Sequence, residues 1–433
     1  MDRTAAPPAR GIETIETALF AAASLSLLAW LYLVLLRAGF WRADQQLDES
    51  WPELEQWPEV AILIATRNDA EAIQETLPDL LGQAYPGRFH VFLVDDRSRD
   101  GTVEAVQETA QRLGAADRLS VATVGKPPAG WSRRAWALAQ LHDYAAATLP
   151  TARYFWLTEP WVQHEPYSLR TLVAKAEADR CDLVSVLPCS GGVSVVDRLL
   201  SPAFAFLFQA FHPPRRVSNG KRATAAAAPG CILVEADALR AVGGFTAVKK
   251  APVLESALAA KVKANARRIG HGIWLGVGEN ATTVRPGDTW KFHRRLTFLT
   301  AATQLGGSTV RLAAGTVGLA LACLAPPVVS VWAMIAGLFL DIDQFLITYL
   351  ALLIAGVAWA GMAFAAWPTF KLYEQEEWRT LLLPLAALAY VLLTLALLPK
   401  LFGVDLRSGG TPSAEATDPA PPPSDGAKVE PRF

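Results

Sequence analysis

Four long apolar runs constrain this chain more than any other feature, because about 20 consecutive apolar residues are enough to cross the hydrocarbon core of a bilayer as a helix. The first occupies residues 17–36 and is followed by Arg37 and Arg42. The others lie at 312–340, 345–367 and 381–398. A short polar break at Asp341 and Asp343 and a charged loop from Lys371 to Arg379 separate them. Pro326-Pro327 is expected to kink the second run. Buried core helices are the alternative, but three such runs in close succession with so few charges weigh against it. A secretory signal is the alternative for the first run. Its apolar part is too long and no A-x-A-type cleavage site follows it.

The expected organisation is an N-terminal tail at 1–16, a membrane helix at 17–40, a folded domain at 57–287, an interfacial segment at 288–310, three membrane helices at 311–401 and a disordered tail at 408–433. The tail is rich in Pro, Ser, Gly, Ala and Asp and cannot bury enough apolar surface to order itself. Residues 289–305 interleave aromatic and basic side chains, which suits a helix lying in the membrane interface. An ordinary solvated helix face is the alternative. Arg37, Arg42, Arg294, Arg295 and Arg311 flank the first two spans on the domain side. By the positive-inside rule this places the domain in the cytoplasm and both termini outside. Lys371 and Arg379 agree with that orientation, whereas Lys400 and Arg407 run against it.

The formal net charge is −1 and there is no broad basic stripe, so a nucleic-acid partner is not expected. The four cysteines, Cys181, Cys189, Cys231 and Cys323, form no CxxC pair. They are read as free, buried residues in a reducing compartment, with a Cys181–Cys189 bridge as the lesser alternative. The six histidines lack zinc-ligand spacing.

Between the first and second runs, strand and helix patterns alternate. Buried strands are predicted at 60–64, 90–94, 119–124, 154–157 and 183–187, and helices at 70–81, 102–113, 132–147 and 166–178. This is the pattern of an α/β domain with a mostly parallel sheet covered by helices. Ligands in such sheets bind beyond the carboxyl ends of the strands. Polar residues concentrate in those loops: Thr66-Arg67-Asn68-Asp69, then Asp95 to Thr102, then Thr158-Glu159-Pro160-Trp161. Adjacent carboxylates at a strand end repel each other unless a ligand's donors or a metal ion offset the charge. The alternative is that Asp100 caps a helix while Asp95 and Asp96 are simply solvated. No G-x-G-x-x-G and no G-x-x-x-x-G-K-[ST] is present at these loops, so the dinucleotide and P-loop readings lack their phosphate cradle.

The run Val94-Asp95-Asp96-Arg97-Ser98-Arg99-Asp100-Gly101-Thr102 resembles the V-D-D-x-S-x-D-G-T element of family 2 glycosyltransferases. A closer likeness is to their hopanoid-biosynthesis-associated, HpnB-like branch. It rests on Gly130-Trp131-Ser132 with Trp136-Ala137, on Arg222 to Ala228 followed by Gly230-Cys231, and on Ile273-Trp274-Leu275-Gly276. The one-plus-three arrangement of spans is also similar. The resemblance implies a GT-A fold in the bacterial inner membrane, and inverting transfer of a sugar from a nucleotide-sugar donor to a lipid or lipid-linked acceptor. It implies that Arg67, Asn68 and Asp96, with Asp95 beside them, contact the nucleoside. Arg133 or Arg134 would face the pyrophosphate, and Trp131, Gly230 and Cys231 would line the donor or acceptor pocket. It further implies a Mg²⁺ or Mn²⁺ ion on the diphosphate.

Two positions depart from the family pattern. The metal-binding D-x-D aligns with Glu159-Pro160-Trp161, leaving Glu159 as the remaining metal ligand, since an indole offers a hard cation nothing. The acidic pair carrying the general base aligns with Glu255-Ser256, leaving Glu255 as the candidate catalytic acid/base. Two readings follow. One is an active transferase that uses Glu159, Glu255 and the arginines as electrostatic substitutes. The other is a non-catalytic relative that binds a nucleotide sugar or lipid, or scaffolds a neighbouring enzyme. The processive Q-x-x-R-W signature is absent near Trp290 to Arg295, so a long polysaccharide product is not expected.

Overall fold

The computed structural model describes residues 9–47, 54–190, 194–283, 309–336 and 346–403. The expected N-terminal tail up to residue 8, most of the interfacial segment at 288–310, the Asp341/Asp343 break and the tail at 408–433 lie outside them.

Helix α1 (Ala9–Leu31) leads through a π-helical turn to Leu36. The domain then opens with β1 (Val60–Thr66), α2 (Ala70–Leu81), β2 (Phe89–Asp95), α3 (Thr102–Arg112) and β3 (Leu119–Thr123). It continues with α4 (Arg133–Thr148), β4 (Tyr154–Thr158), β5 (Val162–His164), α5 (Ser168–Asp179) and β6 (Cys181–Ser190). Next come α6 (Val195–Phe211), α7 (Pro214–Val217), β7 (Cys231–Glu235), α8 (Ala236–Ala241), α9 (Leu254–Ile269) and β8 (Gly272–Thr283). Helices α10 (Thr309–Ala336), α11 (Leu346–Leu372) and α12 (Leu383–Gly403) complete the described chain.

The strands form an eight-stranded sheet in the order β3-β2-β1-β4-β7-β6-β8-β5. Strands β3, β2, β1 and β4 are parallel, as the alternating pattern predicts. The other half is mixed: β7 runs antiparallel to both β4 and β6, β8 is parallel to β6, and β5 is antiparallel to β8. Side chains of successive strand residues enter opposite layers. In β1 and β2, Ala61, Leu63, Phe92 and Val94 pack with α4 and α9, whereas Val60, Ile62, Ile64, Val91 and Leu93 pack with α2, α3 and α5. Both faces are therefore dry, which is why β1 reads as an unbroken apolar run.

Among the described residues, four helices are long and apolar enough to cross a membrane: residues Thr14–Leu36, Val310–Ala336, Leu346–Leu372 and Glu377–Ala396. Helix α10 passes through Pro326 and Pro327 without a break in its helical assignment. Small residues line the contact between the spans. Ala23 packs with Val329, Ala351 and Ala355, and Ala358, Ala365 and Ala366 with Trp30 and Ala322. Such residues let helix backbones approach where lipid supplies no hydrophobic drive. Two side chains of α1, Ser26 and Trp30, donate to the Ala322 carbonyl at 2.9 and 2.8 Å.

Helix α6 joins the domain to these spans. Its N-terminus is closed by a capping box between Ser194 and Asp197. Its Phe206 packs with Trp30 and Phe40, and Gln209 donates to the Thr369 hydroxyl of α11 at 3.1 Å. Arg37, just past the first span, donates to the Ala210 and Phe211 carbonyls at 3.0 and 3.4 Å. A guanidinium there satisfies the open carbonyls and the negative end of the helix dipole.

A buried histidine ties β5 to the central strands. Thr158 donates to the Gly230 carbonyl at 2.9 Å, so its oxygen accepts from His164 Nε2 at 2.6 Å. Burial pushes the His164 imidazole down to about 3. The unfolded imidazole protonates near 6.5, so acid favours the unfolded chain between those two values. Lowering the pH from about 7 to about 5 should therefore cost about 2 kcal/mol of stability at this site. His164→Gln should flatten that part of the pH dependence, measured as the unfolding midpoint of the detergent-solubilised protein.

Candidate functional site

Register places the chemistry at one end of the sheet. Thr66 pairs with Asp95, and Ile64 with Thr158, so the loops after β1, β2 and β4 leave the sheet side by side. The first two are tied into one unit. The Asn68 amide donates to the Ser98 hydroxyl at 2.8 Å, and the Arg99 amide returns a bond to Asn68 Oδ1 at 2.9 Å. Asp100 accepts from the Ala70 amide at 3.0 Å and from the Thr102 hydroxyl at 2.5 Å, so one carboxylate serves the starts of both α2 and α3. Burial opposes its charge, but these hydrogen bonds outweigh that and hold the Asp100 carboxyl below the usual carboxylate range. Asn68 and Arg97 sit at positive φ, 54° and 59°. That conformation is uncommon for residues other than glycine and is held here by the crossed bonds.

Asp95 and Asp96 are both buried, yet their environments differ. Asp95 is turned into its own loop, accepting the Ser98 amide at 3.0 Å and the Ser98 hydroxyl. Asp96 faces two arginines, with Arg97 at 3.2 Å and Arg67 Nη1 at 3.6 Å. Arg67 and Arg97 keep 36% of their side-chain surface, so this edge of the site remains open to water.

The second cluster is an ionic bridge. Arg134, in the first turn of α4, places Nε and Nη2 each 3.0 Å from Glu255 Oε1, and the same Nη2 contacts Glu159. Glu159 follows β4 and Glu255 opens α9, so one guanidinium joins three elements. Both carboxylates are at most 6% exposed. Burial alone would lower the Arg134 pKa, but the two carboxylates raise it above the usual range. One residue earlier in the chain, Arg133 holds a buried Nη1 with no hydrogen-bond partner among the described residues. The local start of α4 is set by Ser132, whose hydroxyl accepts from the Ala135 amide at 3.2 Å.

The remaining expected residues are less concentrated. Trp131 is half-buried, edge-on to Trp136 at 5.3 Å between ring centroids, with the Lys249 ammonium 5.6 Å from its ring. Gly230 has φ +100°, and a Cβ there would come within 2.8 Å of Val162 Cγ2. Its carbonyl and the buried Cys231 stand next to Thr158 through the β4–β7 pairing. Burial pushes the Cys231 thiol up to about 12, which makes it inert. All four cysteines are buried and none is in a disulfide. The run Ala226 to Ala228 is fully buried outside any helix and is pinned by Ser185, which accepts the Ala228 amide at 2.9 Å.

A divalent ion on a diphosphate needs convergent hard oxygens. Glu159 is already engaged by Arg134, and Trp161 packs as an apolar residue against Val162 and its layer. Among the described residues, Asp95, Asp96, Glu159 and Glu255 supply no convergent set of three ligands. With Glu159 held by Arg134 and an indole at Trp161, these residues do not fit a divalent ion. A set of that kind does form from Asp182, Glu235 and His271, with His271 Nδ1 2.6 Å from Asp182. It lies at the opposite end of the sheet, where β6 begins and β7 ends.

Sequence reading missed two contributors. Ser98 is the hinge of the loop pair, and its place in the V-D-D-x-S element was the available signal. Lys263 is buried in α9, and its ammonium donates to the carbonyls of Val217 and of Thr224, the latter at 2.6 Å. Burial, aided by Arg267, lowers the Lys263 pKa to about 8. It anchors the segment that leads to Ala226 and Gly230, and nothing in its sequence neighbourhood marks that role.

Comparison with known proteins adds a family. Residues 61–243 match the profile of glycosyl transferase family 2. No curated protein matches the chain. Among solved structures, the mannosyltransferase PcManGT from Pyrobaculum calidifontis, in complex with GDP-Man and Mn²⁺, is similar at 18% identity and a TM-score of 0.49, with 78% of this chain and 98% of that chain covered. TarS from S. aureus, residues 1–349 in complex with UDP-GlcNAc, is similar at 14% identity and a TM-score of 0.35, with 73% and 89% covered. The similarity to glycosyl transferase family 2 thus spans residues 61–243, the part of the chain that carries β1 to β7.

Proposed function

We propose that this chain is a membrane-bound glycosyltransferase of the GT-A type that moves a sugar from a nucleotide-sugar donor to a lipid or lipid-linked acceptor. On the HpnB-like resemblance the acceptor belongs to hopanoid metabolism, and the domain faces the cytoplasm of a bacterial inner membrane. The observation that supports the reading best is the grouping of the Asp95/Asp96 loop, Arg67 and the Glu159–Arg134–Glu255 bridge at one end of the sheet. The α6 contacts, in turn, hold the same domain against the apolar spans. A lipid acceptor then needs no long excursion through water.

In this reading Arg67, Asn68, Asp95 and Asp96 hold the nucleoside, and Arg133 and Arg134 face the diphosphate. Trp131, Gly230 and Cys231 border the sugar or acceptor. Glu255 is the carboxylate that takes the proton from the acceptor hydroxyl as the acceptor oxygen bonds to the sugar and the nucleoside diphosphate departs. A second reading, a nucleotide-sugar-binding or scaffolding protein without turnover, is favoured by one observation: Arg134 already neutralises half the charge of Glu159 and Glu255.

The test uses the full chain in lipid nanodiscs with labelled UDP- and GDP-sugars and a bacterial lipid extract. Transfer of label into the lipid phase is expected. Glu255→Gln should lower kcat by about 10²–10⁴-fold, the usual cost of losing a general base. Donor binding without labelled product in the parent protein would favour the second reading. Asp96→Asn should weaken UDP or GDP binding by about tenfold or more, about 1.4 kcal/mol, measured by titration calorimetry.

A further inference from the structure

Resting on that reading, we infer that Arg134 occupies the place a divalent cation would take, so that the nucleotide's diphosphate binds to fixed guanidinium charge and needs no metal ion. Three observations meet here. The acid left at the D-x-D position, Glu159, has its carboxylate on Arg134 Nη2, and its neighbour two residues on is Trp161, an apolar packing residue. The guanidinium spends Nε and Nη2 on the two carboxylates. One residue earlier in the chain, the Nη1 of Arg133 is buried without a hydrogen-bond partner among the described residues, a donor group that an anion's oxygens would satisfy.

The physics of exclusion is direct. A divalent ion bound to Glu159 would lie beside a like charge in a poorly hydrated place, or would have to expel it. Expelling it would leave Glu255 as a buried, unpaired carboxylate, which is strongly unfavourable. The bridge holds the guanidinium from two sides, so its charge is in position before any ligand arrives. A planar guanidinium also matches phosphate oxygens in pairs, as an ammonium does not. The site is thus organised in advance for a diphosphate by covalently attached charge.

The experiment titrates UDP and GDP into the full-length protein, first stripped with EDTA and then supplied with Mn²⁺ or Mg²⁺. Affinities in EDTA and in metal should agree within about threefold. Arg134→Lys keeps the charge but loses the two-sided bridge, and should weaken binding by about tenfold or more in both conditions. The paired change Arg134→Gln with Trp161→Asp rebuilds an acidic metal site, and should bind weakly in EDTA and regain affinity in Mn²⁺. A single cooperative melting transition checks that each variant is folded. Binding by the parent protein only when Mn²⁺ or Mg²⁺ is present would overturn the inference and leave the transferase reading standing. Failure to bind UDP or GDP in either condition would overturn the transferase reading itself.

Discussion

Arg134 carries a full charge into a place with little water, and the arrangement of the site depends on how that charge is met. Burying a carboxylate there without a partner would cost several kcal/mol. Together Glu159 and Glu255 hold one guanidinium, and the end of β4, the first turn of α4 and the first turn of α9 become a single unit. A buried bridge of this kind adds little net stability compared with apolar packing, but it fixes geometry strongly, since removing any one member strands the others. The consequence is a site whose electrostatics are set by the chain itself.

The second constraint is the membrane. In hydrocarbon every backbone polar group must be satisfied within the protein, so the spans are helices, and their ends must be closed where they meet the domain. Arg37 and Gln209 do this work at the junction. Arg37 caps the last carbonyls of α6, and Gln209 joins α6 to α11 through Thr369. Tyr373, just beyond α11, donates to the Pro188 carbonyl of β6 at 3.3 Å. The end of an apolar helix thereby reaches the sheet, and the domain is held to these helices at more points than the chain connections alone provide.

Much of the fold was legible because both faces of the parallel strands are buried. Val60 to Ile64 and Val91 to Val94 are unbroken apolar runs, and the helices between them carry their own start signals, Ser132 above all. The strands that escaped are those whose signal is weak. β5 has three residues, and β7 follows a run of alanines that resembles no strand. β8 begins with Gly272 and is interrupted by Gly276 and Gly278. Their mixed pairing, β7 and β5 antiparallel to their neighbours and β8 parallel to β6, is a property of the assembled sheet. Helix α6 was also missed, although its Ser194-to-Asp197 spacing before an apolar run is a readable start signal.

The sequence by itself determined that this chain has helices able to span a bilayer, that an α/β domain lies between them, and that acidic and basic residues gather after β1, β2 and β4. Those properties are local: the length of an apolar run, a period of two or 3.6, a motif within nine residues. Only the tertiary structure decided what the charged groups do to one another. Arg134 and Glu255 are 121 residues apart in the chain, and only folding brings them to 3.0 Å. Whether a carboxylate is a metal ligand, a base or half of a buried bridge depends on such distances and on the exclusion of water, and neither is written in the order of residues.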